Sequence, residues 1–336
     1  MILVLNVGST SLKFGLYDRD EREINRGYFD IDTNVTKTLK QVFREIGNLD
    51  LVEAIGHRVV HGGEKFTKPV AVSSNVIEDL QKLNDLAPLH NPYNIEGIQA
   101  MREWFPNIPN IAVFDTAFFA DLPERAKTYA IPYHYLEQGI RRYGFHGISH
   151  KYIAQEASKL LKKPLSTLNL IICHLGGGAS VSAIKSGRPI DTSMGFTPME
   201  GLVMMTRSGD IDPGIIFYLQ KQGIDVEHLL MHESGIRGFI NTDDYQDLLA
   251  RYHQKQKKAM IAMEIWIYRL QKYIASYAGI LGKVHSVVLT GSIGSGDPIT
   301  KELICREFPL LKTIPVLIIK TNEEQAIARE MVPFLD

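Results

Sequence analysis

Two reversals rich in glycine and serine stand out because their residue types could hold a polyphosphate. The first, NVGSTSLKF, offers Asn6, Ser9, Ser11 and Lys13. Small residues let backbone N–H groups turn toward an anion, hydroxyls add donors, and a lysine supplies a point charge. An ordinary hairpin turn explains the same residues equally well. Phosphate binding is therefore one of two interpretations of this stretch.

The second reversal, ICHLGGGASVSAIKSGRPIDT, runs from Ile172 to Thr192 and has the same order of apolar strand, glycine-rich turn and alternating strand. One such hairpin opens each half of the chain. We therefore predict an internal duplication, in which two similar domains face each other across a cleft. His174 and the backbone of Gly176–Gly178 would then face the phosphates from the second domain.

Charged residues follow predicted strands at three further places. Arg58 in GHRVVHGG could bind a carboxylate or a phosphoryl group through its fork, or form a surface ion pair. Asp115 ends the apolar run IAVF, at the carboxyl end of a strand where sites are common, but aspartate is also a good helix N-cap. Glu323 in TNEE could ligate Mg²⁺ or serve as a charge in the first turn of a helix.

Predicted strands alternate with predicted helices along the chain, which indicates the α/β class. The predicted strands are 4–7, 12–17, 111–114, 287–290 and 316–319, together with the hairpin in 170–191. The predicted helices are 76–84, 94–104, 149–162 and 256–281, the last with apolar residues at core-facing spacing. We expect an N-terminal domain of residues 1–147 plus 325–336 and a C-terminal domain of residues 148–324.

The composition is that of an ordinary globular protein. The 336 residues are 45% hydrophobic and carry a net charge of -1, which does not favour nucleic acid or an anionic membrane surface as a partner. Two cysteines cannot build a disulfide framework, and no apolar run approaches the length that spans a bilayer. The start MILVLNVGS lacks the features of a secretory signal. We therefore expect a cytoplasmic protein.

Eight segments together resemble the signature blocks of the acetate kinase family, in the same order over essentially the whole chain. They are NVGSTSLKF, GHRVVHGGEKF, LAPLHNP, VFDTAFF, RRYGFHGISHKY, CHLGGGAS, DTSMGFTPMEGLVMMTRSGDIDPGII and TNEEQAIAR. The resemblance implies a duplicated actin-like (ribonuclease H-like) two-domain fold with a central cleft. It also implies a reversible, Mg²⁺-dependent transfer of the terminal phosphoryl group of ATP to a short-chain carboxylate, with Mn²⁺ as an alternative ion.

The resemblance also implies catalytic roles for four residues. Arg58 matches the family's substrate arginine, Asp115 its catalytic aspartate, and His146 and Arg207 its transition-state pair. A carboxylic acid with a pKa near that of glutamate, about 4.3, is already ionised at neutral pH and needs no base to attack phosphorus. We therefore expect Asp115 to orient the nucleophile or a metal-bound water instead of abstracting a proton.

The resemblance further assigns residues that would bind the substrates and the metal. Asn6 lies by the metal and Lys13 by the phosphates, and Glu323 ligates Mg²⁺. The apolar pocket for a short acyl chain corresponds to Val60, Leu89, Phe145 and Pro198. One methylene is worth only about 1–3 kcal/mol in such a pocket, so acetate and propionate could both be accepted.

The segments expected around the nucleotide depart from the family's pattern. Their residues are His174, Leu175, Gly176, Gly177, Gly178, Asp244, Tyr245, Gln246, Ser292, Ile293, Gly294, Ser295 and Gly296. Gly177 stands where the family usually has Asn, Asp244-Tyr245-Gln246 replaces Asp, an apolar residue and Arg, and Ser295-Gly296 replaces Glu-Asn. Ser292 likewise occupies a usual glycine. Because amide and guanidinium donors are lost, we expect a donor site that is looser or different in specificity.

Two other functions remain open at this point. One is a kinase for another small acid, such as propionate or butyrate. The other is an actin-like, nucleotide-dependent switch protein, which would not need two arginines and an acyl pocket. The partners implied by the resemblance are the carboxylate, the nucleotide and a second copy of the chain in a homodimer.

Overall fold

The computed structural model describes residues 1–31, 34–47, 49, 51–88 and 90–335. The strands are β1 Ile2–Val7, β2 Ser11–Tyr17, β3 Glu23–Asp30, β4 Ala54–Val59, β5 Val70–Ala71, β6 Asn110–Phe114, β7 Asn169–Leu175, β8 Ala179–Lys185, β9 Arg188–Thr192, β10 Ser286–Thr290 and β11 Val316–Ile318. The helices are α1 Val35–Ile46, α2 Ser74–Gln81, α3 Asn91–Trp104, α4 Glu124–Lys127, α5 His134–Glu137, α6 Gly147–Leu161, α7 Pro213–Gln220, α8 Val226–His232, α9 Gly235–Ile240, α10 Tyr245–His253, α11 Lys257–Leu281, α12 Gly291–Gly294, α13 Pro298–Cys305 and α14 Glu323–Met331.

The predicted strands and helices are present, with shifts at their ends. The α2 helix begins two residues before the predicted start, because the Ser73 side chain accepts a hydrogen bond from the backbone of Val76 and caps the first turn. The α3 helix begins at Asn91, with a proline in its first turn. The segment GSIG, directly after β10, forms the short helix α12, which we did not predict.

The chain divides into two compact units. Unit 1 consists of residues 1–120, 145–152 and 322–336, and unit 2 consists of residues 121–144 and 153–321. The domain boundaries that we derived from the sequence, 1–147 plus 325–336 and 148–324, stay a prediction.

Each unit contains one mixed sheet, and the two sheets have the same strand order. In unit 1 the order is β3-β2-β1-β4-β6-β5, and in unit 2 it is β9-β8-β7-β10-β11 when read from the corresponding edge. In both sheets the first two pairs of this order are antiparallel and the next two pairs are parallel. In unit 1, β5 adds a sixth strand that pairs antiparallel with β6. The repeated order, strand by strand, confirms the α/β class and the internal duplication.

Helices cover the two faces of the unit 1 sheet. On one face, α1 and α3 bury Leu3, Leu5 and other apolar side chains in a single core cluster. On the other face α14 packs on β1, β2 and β4. A Cβ at Gly56 of β4 would lie 2.2 Å from Sδ of Met331 in α14, so this close packing of helix on sheet requires glycine.

The long helix α11 forms the core of unit 2, as its apolar spacing predicts. It packs on β7 and β8 and buries Met263, Leu270, Ile274 and Tyr277. Within the part of the chain that the structure describes, no helix combines the length and the apolar character needed to cross a membrane.

Candidate functional site

Three parallel neighbours, β1, β4 and β6, bring polar residues together at one edge of the unit 1 sheet. Asn6 lies near the end of β1, Arg58 near the end of β4, and Asp115 directly after β6. Gly56 faces α14 and side chains alternate along a strand, so Arg58 projects from the same face of the sheet. Val4 on β1 pairs with Gly56, and Val113 on β6 pairs with Arg58. Asn6 and Asp115 each follow two residues later, so they lie on that face as well.

Arg58 and Asp115 form a close ion pair in this cluster. Nη2 and Nε of Arg58 donate to Oδ2 of Asp115 at 2.6 and 3.1 Å, and the carboxylate is only 1% exposed. Burial raises the pKa of Asp115 to about 6 against the opposing effect of Arg58, and Glu323 contributes to the rise. For Arg58, burial would lower the pKa, but Asp115 and Glu323 outweigh it and raise the pKa above its usual value. Both side chains are therefore charged at neutral pH.

Asn6 connects this ion pair to the start of α14. Its Oδ1 accepts a hydrogen bond from Nη1 of Arg58 at 3.2 Å, and its Nδ2 donates to Glu323 at 3.5 Å and to Glu324 at 3.2 Å. Nη1 of Arg58 also lies 3.6 Å from the Glu323 carboxylate. The structure thus brings together four residues that we selected from separate sequence segments, namely Asn6, Arg58, Asp115 and Glu323.

Glu324 is a member of the cluster that our sequence reasoning did not select. It is adjacent to Glu323 in TNEE, and the doubled carboxylate was the available signal. Both residues lie in the first turn of α14, whose N-cap is Asn322. Asn322 in turn accepts a hydrogen bond from the Tyr17 hydroxyl at 3.3 Å, which ties the helix start to β2. The first-turn interpretation of Glu323 is thus correct, and it does not exclude metal binding.

The oxygen atoms in this cluster suit a divalent cation. Oδ1 of Asp115 is buried and, among the described residues, has no hydrogen-bond partner, so a ligand has a ready acceptor there. Within the same residues no group of three or more His, Cys, Asp or Glu side chains could hold a metal. Mg²⁺ commonly uses one or two carboxylates and takes its other ligands from water and substrate phosphates. The residues present fit that ion.

The first predicted phosphate loop lies beside the cluster. Lys13 on β2 pairs with Asn6 on β1, and its side chain is exposed. It lines a cavity of about 290 Å³ together with Tyr17, Arg26, Tyr28 and Glu324. Ser9 and Ser11 lie in and directly after the turn, which is closed by a hydrogen bond from the backbone of Gly8 to the carbonyl oxygen of Ser11 at 2.8 Å. A true hairpin turn and an exposed lysine therefore occur together.

His146 has a strained backbone next to Asp115. Its φ is 59°, a left-handed conformation that side-chain-bearing residues seldom adopt. The following Gly147 donates its N–H to the carbonyl oxygen of Asp115 at 2.9 Å, and a Cβ there would lie 2.1 Å from that oxygen. The backbone at His146 and Gly147 is thus held tightly against the strand end that carries Asp115.

Two of the predicted acyl-pocket residues are buried in unit 1. Val60 donates its N–H to Oδ1 of Asn94, and the ring of Phe145 meets that of His61 edge to face at 5.4 Å. Leu89 lies outside the described residues. The fourth residue of this set, Pro198, belongs to unit 2.

The glycine run of unit 2 forms a tight reversal between β7 and β8. The N–H of Gly176 donates to the carbonyl oxygen of Gly178 at 3.0 Å. Gly291 starts α12 close by with φ 83°, and a Cβ on it would lie 2.4 Å from the carbonyl oxygen of Leu175. Oγ of Ser292 would lie 3.2 Å from a Cβ at Gly176. The two predicted nucleotide segments, 174–178 and 292–296, are therefore neighbours.

Residues in these segments differ in how much space surrounds them. Gly177 is exposed, and a Cβ on it would meet no described atom within 4 Å. The Ile293 side chain is buried. The Ser295 hydroxyl donates to the carbonyl oxygen of Gly291 at 2.7 Å. A Cβ at Gly296 would lie 2.1 Å from the carbonyl oxygen of Ser292. Gly177 therefore has space around it for a side chain.

The predicted nucleotide residues 244–246 begin α10. Asp244 is its N-cap and accepts from the N–H of Gln246 at 2.9 Å. The Tyr245 side chain is buried, with its hydroxyl 2.9 Å from that of Thr300 and its ring against Trp266. The Tyr245 side chain thus contributes to the core, and a nucleotide contact by this segment stays a prediction.

Arg207 lies in a loop of unit 2. Its Nη1 donates to the carbonyl oxygen of Pro198 at 3.1 Å, and no carboxylate among the described residues forms an ion pair with it. Burial lowers the pKa of its guanidinium, although an arginine stays charged at any physiological pH. Among the described residues the guanidinium is therefore a cation without an acidic partner, which suits an anionic ligand.

The chain is similar to known proteins over most of its length. A family model described as the acetokinase family matches residues 29–314. The acetate kinase of Carboxydothermus hydrogenoformans is 37% identical to this chain, and the alignment covers 98% of both chains. The acetate kinase of a Sulfurovum species is 44% identical over 90% of this chain and 85% of that protein.

A solved structure shows the same similarity in three dimensions. The crystal structure of a propionate kinase from Francisella tularensis superimposes with a TM-score of 0.92 at 34% sequence identity, covering 98% of each chain.

Proposed function

Since the chain belongs to the acetokinase family and is a phosphotransferase whose acceptor is a carboxyl group, we propose that it transfers the terminal phosphoryl group of ATP to a short-chain carboxylate. The product would be an acyl phosphate, and the reaction would be reversible. The observation that carries the proposal is the buried Arg58–Asp115 pair, which lies beside Asn6 and Glu323 at one edge of the unit 1 sheet.

Arg58 would hold the acceptor carboxylate close to Asp115. Its guanidinium is oriented by Asp115 and Asn6 before any substrate arrives. A fork held in this way binds a carboxylate with little loss of rotamer freedom. Because the acceptor is already ionised at neutral pH, Asp115 would orient it, or a water molecule, without removing a proton.

The length of the acceptor's acyl chain would be set by apolar side chains. Val60 and Phe145 are buried in unit 1 and would contribute, with Leu89 and Pro198 as further members. A methylene changes binding by about 1–3 kcal/mol in a hydrophobic pocket. We therefore propose acetate as the acceptor, with propionate or butyrate as the alternative, and the propionate kinase of similar structure supports the alternative.

His146 and Arg207 would donate to the equatorial oxygens of the moving phosphoryl group. In phosphoryl transfer, positioned donors and charges account for most of the rate, because little covalent work falls to the protein. The absence of an acidic partner for Arg207 in the described chain and the strained backbone of His146 both support these roles.

Asn6, Asp115 and Glu323 would hold Mg²⁺, or Mn²⁺, on the side of the phosphates. The bound ion would neutralise charge on the phosphate oxygens. Lys13 would place a second positive charge there, and the hydroxyls of Ser9 and Ser11 would add donors.

The phosphoryl donor would bind unit 2 at the reversal Gly176–Gly178 and the start of α12. Backbone N–H groups in such turns bind phosphates well. The exposed position of Gly177, where a side-chain amide is usual in the family, supports a donor site that is looser toward the base or accepts a smaller polyphosphate.

We also propose that the protein forms a homodimer in the cytoplasm. Every residue of α7, with sequence PGIIFYLQ, is half-buried or exposed, and the exposed fractions of Ile215, Phe217 and Tyr218 are 43%, 61% and 63%. A helix that is apolar on its solvent side is typical of a face covered by another chain.

A hydroxamate assay for acyl phosphate tests the proposed reaction. Wild-type protein with ATP, Mg²⁺ and acetate, propionate or butyrate should form it, and Arg58→Ala should raise the KM for the acid and lower kcat by at least about 100-fold. Arg329→Ala is the matched control, because Arg329 has a similar exposure, 20% against 19%, and pairs with Glu21. If wild-type protein forms no acyl phosphate from any of the acids, the kinase proposal fails and the switch function is favoured.

A further inference from the structure

Residues 193–210 form a long loop that presents Pro198 and Arg207. All of these residues are described, and all lie outside helices and strands, yet many of their side chains are buried. A loop of this length is seldom rigid without tertiary support. The residues that supply this support therefore determine where the Arg207 guanidinium lies.

Arg142 fixes the first part of the loop through backbone carbonyl groups. Its Nη1 donates to the carbonyl oxygens of Thr192, Ser193 and Met194 at 3.1, 3.2 and 3.1 Å. Its Nε donates to the carbonyl oxygen of Ala126 at 3.1 Å. One guanidinium thus satisfies three successive carbonyl groups where the chain leaves β9.

Glu200 and Tyr129 fix the middle of the loop. Glu200 accepts from Nη2 of Arg142 at 2.5 Å and from the Tyr129 hydroxyl, and that hydroxyl accepts from the N–H of Phe196 at 2.8 Å. A Cβ at Gly195 would lie 1.8 Å from Oε2 of Glu200, so only glycine lets this carboxylate approach. We call these three side chains the loop clamp: Arg142, Glu200 and Tyr129.

Arg207 is attached to the segment that the clamp holds. Its Nη1 donates to the carbonyl oxygen of Pro198, which lies between the clamped residues Phe196 and Glu200. The far end of the loop has its own support, because Asp210 accepts from the N–H of Gly201 at 2.8 Å and from the Tyr273 hydroxyl at 2.7 Å. The clamp therefore sets the carbonyl group that orients the Arg207 fork.

We propose that Arg142, Glu200 and Tyr129 are positioning residues for Arg207 in phosphoryl transfer. The proposal rests on the proposed function, in which Arg207 binds the moving phosphoryl group. A half-buried ion pair such as Arg142–Glu200 adds little net stability, but it can specify one geometry. A displacement of about 1 Å in a group that acts in the transition state can lower the rate about 100-fold.

The test combines variants of the clamp with Arg207→Ala in a double-mutant cycle. Glu200→Gln keeps the shape of the side chain and removes its charge, and Tyr129→Phe removes one hydroxyl in case Glu200→Gln fails to fold. Either variant should lower kcat, by about 10- to 100-fold for Glu200→Gln, with both KM values within about twofold of wild type. In the Arg207→Ala background the same substitution should change kcat by less than about twofold. Arg329→Lys, at a similarly half-buried ion pair in unit 1, should leave kcat unchanged.

Three outcomes would contradict the proposal in distinguishable ways. Equal losses of kcat in the wild-type and Arg207→Ala backgrounds would show that the clamp acts independently of Arg207. If Glu200→Gln and Tyr129→Phe keep full kcat while Arg207→Ala is inactive, the loop clamp does not position Arg207, and the proposed function is unaffected. Full kcat in Arg207→Ala would overturn the role of Arg207 and this proposal with it.

Discussion

Arg58 and Asp115 are paired through a single carboxylate oxygen. Two nitrogens of the guanidinium bind Oδ2, at 2.6 and 3.1 Å, while Oδ1 is buried and has no partner among the described residues. The pair therefore holds the arginine in place and leaves one acceptor atom available. A pairing through both oxygens would have satisfied the carboxylate and closed it to a ligand.

The activity should depend on pH through Asp115. Burial raises its pKa to about 6, so it is charged at neutral pH and binds a proton as the pH falls through that value. We expect kcat/KM to fall up to about tenfold per unit below pH 6. The acceptor acid, with a pKa near 4.3, stays largely ionised until lower pH. Asp115→Asn cannot titrate, so it should be less active and should lack this acidic limb. A pH–rate profile measured between about pH 5 and pH 7 checks this. If the limb is unchanged in the variant, it arises from another group.

Substitution of Gly147 should damage the site through the backbone. A Cβ in Gly147→Ala would lie 2.1 Å from the carbonyl oxygen of Asp115, so the strand end or the YGFHG segment must move. We expect a loss of about 1–3 kcal/mol in the free energy of unfolding and at least a tenfold lower kcat, measured by urea denaturation and the hydroxamate assay. Gly279→Ala is the control, because that exposed position in α11 has no atom within 4 Å of the added Cβ. It should be neutral or stabilising by up to about 1 kcal/mol. Wild-type kcat in Gly147→Ala would show that the contact does not position Asp115.

An asparagine at position 177 should tighten the choice of donor. The site has room for the side chain, so Gly177→Asn should change the free energy of unfolding by less than about 0.5 kcal/mol. The new amide adds a donor and an acceptor, and we expect the ratio of kcat/KM for ATP over GTP to rise. Gly279→Asn, at an exposed glycine of α11 that also has no atom within 4 Å of an added Cβ, should leave the ratio unchanged. Steady-state rates with ATP, GTP and pyrophosphate measure this, and an exclusive preference of the wild type for ATP contradicts a loose donor site.

Stability should decline in mild acid because of His57. Burial lowers its pKa to about 4, and a hydrogen bond with Asn110 only partly opposes this. Between the unfolded value of about 6.5 and pH 4, the unfolded chain binds a proton that the folded protein does not bind. The free energy of unfolding should therefore fall by about 3 kcal/mol as the pH drops through this window. Urea denaturation across this window should show a smaller decline in the free energy of unfolding for His57→Gln than for the wild type. His253→Gln, a control at an exposed histidine, should show the same decline as the wild type. If His57→Gln also declines as much as the wild type, His57 is not the source.

The apolar face of α7 should be required for self-association. Phe217→Glu places a charge on that face, where an unpaired charge is costly to bury. We expect sedimentation to show a dimer for the wild type and a monomer for Phe217→Glu. Phe334→Glu, at an exposed phenylalanine in unit 1, should stay dimeric. A dimer of unchanged strength in Phe217→Glu would place the interface elsewhere.

Several features could be predicted because they depend on local pattern. Alternating apolar residues and glycine turns predicted both hairpins, and the helical spacing in α11 predicted its buried face. The repeated strand order then confirmed the duplication. Element ends were less predictable, because the Ser73 cap and the short α12 depend on single hydrogen bonds.

The sequence by itself determined the chemical types at the site and the order of the segments that carry them, since strand endings and motif spacing are read along the chain. Only the tertiary structure decided which of these residues meet. The pairing of Arg58 with one oxygen of Asp115, the inclusion of Glu324 and the loop clamp around Glu200 depend on strand register and on helices that are distant in sequence. Contacts of that kind arise from packing, which no local pattern encodes.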